Sequence, residues 1–350
     1  MADGLHLWLR QEASAVEERA PVVPGDAAAL VGSGIAVTVE EAPQRASPVE
    51  EYAAAGCRIV PAGSWADAPA DAVVLGLKEP SAQTWPLRHT HVFFGHAYKG
   101  QAGGREVLRR FVAGGGNLLD LEAMVDGSGR RLVAFGYWAG YAGAALAVLQ
   151  HRGELDRPLR STTRPQLDAR LRERSGSARA LVIGALGRSG RGALDAFAVA
   201  GMPATAWDVE ETRELDRAAL LGHDILVNTI VADRPGPPFL TAADLDRADR
   251  TLRTVSDVTN DVTSDANRLP VNDKITTWAE PVRRLRAAPP VLDMLAIDNL
   301  PSLLPRESSA AFSADLTPYL GTLPDDPVWV RCRARFEEAV AALDGAGRQG

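Results

Sequence analysis

Residues 180–208, ALVIGALGRSGRGALDAFAVAGMPATAWD, constrain the fold of this chain more than any other stretch. The apolar run Ala180–Ile183 leads into three glycines spaced G-x-x-G-x-x-G: Gly184, Gly187 and Gly190. Leu194, Phe197 and Ala198 then share one helical face, and a second apolar run ends in Trp207 and Asp208. The pattern is strand, tight turn, helix, strand, acid. Glycines let the main chain turn sharply and approach a pyrophosphate, whose charge sits at the helix N-terminus. An acid at the end of the second strand can hold the ribose hydroxyls of NAD and would repel a 2′-phosphate. The alternative is a glycine-rich turn with no ligand. The complete unit favours an NAD site.

At 350 residues and 37.2 kDa the chain is too long for one ordinary core and reads as two domains. A net charge of −7 and a pI near 5.5 argue against nucleic acid or an anionic membrane as partner. A small-molecule substrate remains. Cys57 and Cys332 lack metal-ligand spacing, so no metal is expected and both read as reduced thiols of a cytoplasmic protein. The first residues, MADGLHLWLRQEAS, do not form a signal peptide. Residues 132–150 carry no charge and imitate a membrane span, but Gly136, Gly140 and Gly143 interrupt the run. A strand entering a buried helix is the expectation there.

The first 121 residues alternate strand and helix. Strands are expected at 5–9, 58–61, 71–77, 91–94 and 117–121. Ser47-Pro48-Val49-Glu50 reads as a capping box opening a short helix, and 105–113 as a helix ended by three glycines. Beyond a helix near 166–174, further strands fall at Ala180–Ile183, Ala204–Trp207, 224–230, 252–258 and 291–297. The last helix, 327–343, sets Val328, Cys332, Phe336, Val340 and Leu343 on one stripe, suited to packing on the first domain.

Of 38 basic residues only Lys78, Lys99 and Lys274 are lysine. Arginine serves as surface charge here, so a retained lysine points to a need for a neutral, proton-accepting amine. Lys78 follows one expected strand; His96, Lys99 and Gln101 follow another. Ligands of open α/β sheets bind outside the carboxyl ends of strands. A desolvated lysine at such a mouth can act as a base, and a histidine can shuttle protons near neutrality. The plain alternatives are a loop lysine and a structural histidine.

Several long motifs carry a resemblance. They are LHLWLRQE followed by Glu18-Arg19, GLKEP, FFGHAYKGQAG, LLDLEAMVDGSGRRLVAFGYWAG, IGALGRSGRGA, AWDVEET, SDVTND and IDNLPSLLPRESS. Together they resemble the NAD-dependent, lysine-forming saccharopine dehydrogenases, a branch of the alanine dehydrogenase superfamily. The resemblance implies an α/β fold of two Rossmann-like, doubly wound domains, 1–134 with 306–350 and 135–305, with the active site in the interdomain cleft. It implies Lys78 and His96 as the catalytic acid–base groups. Substrate binding would fall to Arg19, Lys99, Gln101, Arg131, Phe135 and Asp257. Cofactor binding would fall to Arg130, Gly184, Gly187, Arg188, Gly190, Asp208, Thr212, Ile297, Asp298, Asn299 and Leu300. The reaction implied is NAD-dependent oxidation of a secondary amine, saccharopine or an analogue, to lysine and 2-oxoglutarate, by a monomer.

The chain departs from the family pattern at several points. Asn299 stands where the family has histidine, and Val231 where it has tyrosine. Thr259 and Asn260 replace Ser and Ala in the DVSAD motif. Ser189 and Thr229 stand where it has a cysteine pair, so that disulfide cannot form. These changes leave three alternatives open: reductive coupling of another amine or a hydrazine to 2-oxoglutarate, an alanine-dehydrogenase-like reaction, and a non-catalytic NAD-binding sensor.

Overall fold

The computed structural model describes residues 4–81, 86–98, 103–174 and 176–346. Lys99 and Gln101 lie outside the described residues. The chain divides into two compact units, Met1–Ala134 with Ser308–Gly350, and Phe135–Glu307.

The first unit is built on six parallel strands: β1 (His6–Leu9), β2 (Ala36–Glu40), β3 (Arg58–Val60), β4 (Val73–Leu75), β5 (Thr90–Phe93) and β6 (Asn117–Asp120). Their order is β3-β2-β1-β4-β5-β6. The strands are short and largely buried on both faces, as parallel sheets require. The order reverses between β1 and β4, which opens a crevice at their carboxyl ends. Helices α1 (Pro24–Gly32), α2 (Val49–Ala54) and α3 (Gly104–Gly114) connect the strands. Strand β2 and helix α1 have no counterpart in the sequence reading. Ser47 does not cap α2: Pro48 occupies the N-cap position with extended backbone, and no side-chain cap bond forms.

The second unit carries β7 (Ala180–Ile183), β8 (Ala204–Trp207), β9 (Ile225–Asn228), β10 (Thr254–Asp257), β11 (Arg283–Arg286) and β12 (Leu292–Leu295), ordered β11-β12-β10-β9-β7-β8. Only the β11–β12 pair is antiparallel. Its helices are α4 (Gly136–Arg152), α5 (Arg164–Arg172), α6 (Arg188–Val199), α7 (Val209–Arg213), α8 (Arg217–Leu221) and α9 (Ala242–Leu245). From Gly136 on, the uncharged stretch 132–150 is α4, and among the described residues no strand leads directly into it. Val125 and Arg131 instead form an isolated antiparallel bridge, with the Leu132 amide donating to the Met124 carbonyl. The glycines of α4 serve packing: a Cβ at Gly140 would overlap the Ser189 carbonyl of α6. Among the described residues no helix is long and apolar enough to cross a membrane.

After α10 (Pro305–Leu320), the last helix, α11 (Pro327–Ala346), packs on the first sheet. Phe336, Val340 and Leu343 meet the core formed by Trp8, Trp65, Phe93 and Phe111.

Candidate active site

In the first unit the reactive side chains sit on loops that leave the carboxyl ends of β1, β4, β5 and β6. Lys78 lies three residues past β4 and is half-buried. Glu12, in the loop after β1, accepts hydrogen bonds from the amides of Leu77 at 2.6 Å and Lys78 at 3.1 Å. Farther along that loop Glu17 grips Arg19 with both oxygens, at 2.8 Å to Nε and 2.7 Å to Nη2. Burial pushes the Glu17 carboxyl up, but the bonds from Arg19 and the charges of Arg19 and Lys78 outweigh it, so the net shift is downward. Lys78, Glu17 and Arg19 therefore share one electrostatic neighbourhood.

His96 lies three residues past β5 in the left-handed region, φ 48°. Its side chain is half-exposed, and Nδ1 stands 3.2 Å from Glu122 Oε1. That oxygen also receives Arg131 Nη2 at 3.1 Å. Glu122 follows β6 and was missed in the sequence reading; its one available signal is an acid just past an apolar strand. Asp120, at the end of β6, binds the two loops together. Its Oδ1 accepts the Gly95 amide at 3.2 Å and the Glu122 amide at 2.9 Å. Burial raises the Asp120 carboxyl above its ordinary range. Arg130 is exposed, paired with Asp126 at 3.3 Å.

In the second unit the glycine turn has the shape a dinucleotide needs. Gly184 adopts φ 85°, and a Cβ there would lie 2.5 Å from Thr229 Oγ1. A Cβ at Gly190 would overlap the Gly184 carbonyl. The turn is thus a cradle that side chains would fill. Gly187 is the N-cap of α6, followed by half-buried Arg188. First-turn amides of a helix have no carbonyl partner within it and favour an anion. Asp208 directly follows β8 as the N-cap of α7, its carboxylate held by the amides of Leu186 and Val209, each at 2.9 Å. Thr212 donates to the Asp208 carbonyl at 2.6 Å. Leu186, Val209 and Val231 are exposed apolar side chains past β7, β8 and β9, suited to the flat face of a base. The residues present fit an NAD.

The remaining expected residues divide by environment. Asp257 is 1% exposed. Its carboxylate receives Asn228 Nδ2 at 3.1 Å, Thr259 Oγ1 at 2.7 Å, the Thr259 amide at 3.2 Å and Asn272 Nδ2 at 2.9 Å. That network ties the loops at the ends of β9 and β10. Phe135 is the N-cap of α4. Ile297 and Leu300 are buried, whereas Asp298 is exposed. Asn299, in the left-handed region at φ 57°, turns its own amides onto the Asp298 carboxylate at 2.8 and 2.9 Å. Asparagine tolerates that backbone better than most residues.

Residues 8–142 match the family model described as "Alanine dehydrogenase/PNT, N-terminal domain". The chain is 41% identical to the saccharopine dehydrogenase [NAD(+), L-lysine-forming] of Schizosaccharomyces pombe, over 97% of its own length and 99% of that protein's. It belongs to the saccharopine dehydrogenase family. The Neurospora crassa protein of the same name is also 41% identical, covering 98% of both chains. Among solved structures an L-alanine dehydrogenase matches with a TM-score of 0.69 at 16% identity, covering 96% of this chain and 94% of that one. The fold is therefore the two-domain Rossmann-like one. Where the family resemblance places a cysteine in β9's exit, Thr229 bonds to the carbonyls of Ile183 at 2.8 Å and Gly184 at 3.1 Å. In this member of the saccharopine dehydrogenase family a hydroxyl holds the glycine turn.

Proposed function

We propose that the chain is an NAD-dependent oxidoreductase of the CH–NH class that interconverts saccharopine with lysine and 2-oxoglutarate. The observation that carries this reading is the 41% identity spanning nearly the whole of both chains. Gly184, Gly187, Arg188 and Gly190 would cradle the pyrophosphate, and Asp208 the adenosine ribose. Bound there, NAD supplies a hydride acceptor for the carbon that bears the secondary amine.

The chain's own groups move the protons. Lys78 Nζ takes the amine proton as the nitrogen lone pair is drawn into the imine. His96, oriented by Glu122 through Nδ1, takes a proton from the water that adds to the imine carbon. Collapse of the carbinolamine then returns a proton to the departing amine. Arg131, half-exposed beside Glu122, and Arg19, aligned by Glu17, hold substrate carboxylates. Run in reverse, the same groups couple lysine to 2-oxoglutarate.

A second reading, another amine with the same 2-oxo acid, is favoured by Asn299, Thr259 and Asn260, the positions where the chain leaves the family pattern. NADH oxidation with 2-oxo acids crossed against lysine, ornithine, other diamines, hydrazines and ammonia separates the two. Turnover confined to lysine and 2-oxoglutarate supports the first. Turnover only with a different amine supports the second, and pyruvate with ammonia alone refutes both.

A further inference from the structure

The main chain on both sides of Lys78 is held by one buried ion pair. Arg10 and Glu12 follow β1 directly, stand 3.5 Å apart, and have side chains only 1% and 5% exposed. Glu12 Oε1 and Oε2 accept the amides of Leu77 and Lys78. Arg10 Nη2 donates to the Lys78 carbonyl, and Nη1 to the Gln11 carbonyl at 2.9 Å. Both backbone polar groups of Lys78 thus end on the pair. The Arg10 amide also donates to the Leu75 carbonyl at 3.1 Å, extending the β1–β4 pairing up to the clamp. Gly76 makes the passage possible, because a Cβ there would overlap the Arg10 guanidinium.

A buried ion pair is weak support for stability, since desolvating both charges offsets much of their attraction. This one holds the Leu77–Lys78 backbone, with both polar groups of Lys78 on it, across the crevice where the strand order reverses. Lysine's ammonium rides on a flexible four-carbon stem. Its placement therefore depends on a fixed Cα, and a displacement of about 1 Å can cost about 10²-fold in rate. We propose that Arg10 and Glu12 are positioning residues that fix Lys78 for proton transfer. Gly76 supplies the room they need. The proposal rests on the reading of Lys78 as the base.

The test uses the full chain and four variants: Glu12→Gln, Arg10→Lys, Lys78→Met and the Glu12→Gln/Lys78→Met double variant. Saccharopine oxidation is followed by NADH formation, with kcat and both KM values measured and melting curves confirming folding. A group that acts through another adds no loss once that other is gone. Glu12→Gln and Arg10→Lys should each lower kcat by about tenfold or more with KM for NAD within about twofold, a fraction of the 10²-fold that full misplacement costs. In the Lys78→Met background Glu12→Gln should cost nothing further. An equal loss with and without Lys78, or a kcat within about twofold of wild type, would overturn the clamp while leaving the base assignment standing. Near-normal kcat in Lys78→Met would overturn both. Should Glu12→Gln fail to fold, Arg10→Lys alone and combined with Lys78→Met is read by the same criteria.

Discussion

His96 Nδ1 lies 3.2 Å from Glu122 Oε1, so the ring is oriented by a carboxylate carried on the next strand's loop. Two substitutions separate the proton carrier from its orienting partner. His96→Gln should slow imine formation and hydrolysis by about 10² to 10⁴. Glu122→Gln keeps the shape but drops the charge, and should cost less than His96→Gln. Stopped-flow measurement of NADH oxidation gives both numbers. A larger loss in Glu122→Gln would mean that the carboxylate, rather than the imidazole, carries the proton.

Arg131 shares that carboxylate oxygen at 3.1 Å. Arg131→Ala should raise the KM of the 2-oxo acid. A hydrogen bond to a charged group is worth about 1.5–3 kcal/mol, and the exposure of this side chain favours the lower end, about tenfold. Steady-state titration with 2-oxoglutarate checks it; an unchanged KM would remove Arg131 from the substrate site.

Asp208, held by two backbone amides, should set the choice of cofactor. The wild-type chain should prefer NAD(H) over NADP(H) by at least about tenfold, which corresponds to about 1.4 kcal/mol. Asp208→Ser should narrow that gap. Equal kcat/KM for NADPH in the wild type would exclude the ribose role.

His91 makes a pH-dependent stability test. It is fully buried, with Trp65 and Phe111 ring centroids 5.1 and 5.5 Å away, and neither nitrogen has a protein partner among the described residues. Burial, aided by Arg10, His89 and Arg110, holds the imidazole well below its ordinary value. The folded chain keeps it neutral, while the unfolded chain protonates it below about pH 6.5. Stability is thus full above that pH and falls as pH drops through it, by up to about 1.4 kcal/mol per unit. His91→Phe removes both the unpartnered nitrogens and this dependence. Calorimetry should show its Tm advantage growing from pH 7.5 to 5.5; a constant difference would contradict the buried neutral imidazole.

The glycine turn was legible because its demand is local: Gly184 needs a positive φ, and Gly190 a bare backbone. Short apolar strands such as β4 and β7 were legible for a similar reason, since burial on both faces writes itself into composition. Strand β11 was not, because RRLR pairs at a sheet edge through its backbone and carries no apolar pattern. Lys78 and His96 could be singled out by residue type and position after a strand. Their partners Glu12, Glu17 and Glu122 could not, since only the strand order brings those loops together. The four donors around Asp257 are hidden for the same reason, as its sequence neighbours supply only part of the set.

The most direct test of the account is the pH dependence of saccharopine oxidation in Lys78→Met, read as NADH formation under saturating NAD. The expected rate is lower by about 10² or more, with the limb of the pH profile that reports the amine-proton acceptor gone, and KM for NAD little changed. A variant that keeps most of its kcat and the wild-type pH profile would contradict it, leaving Lys78 with a structural role only.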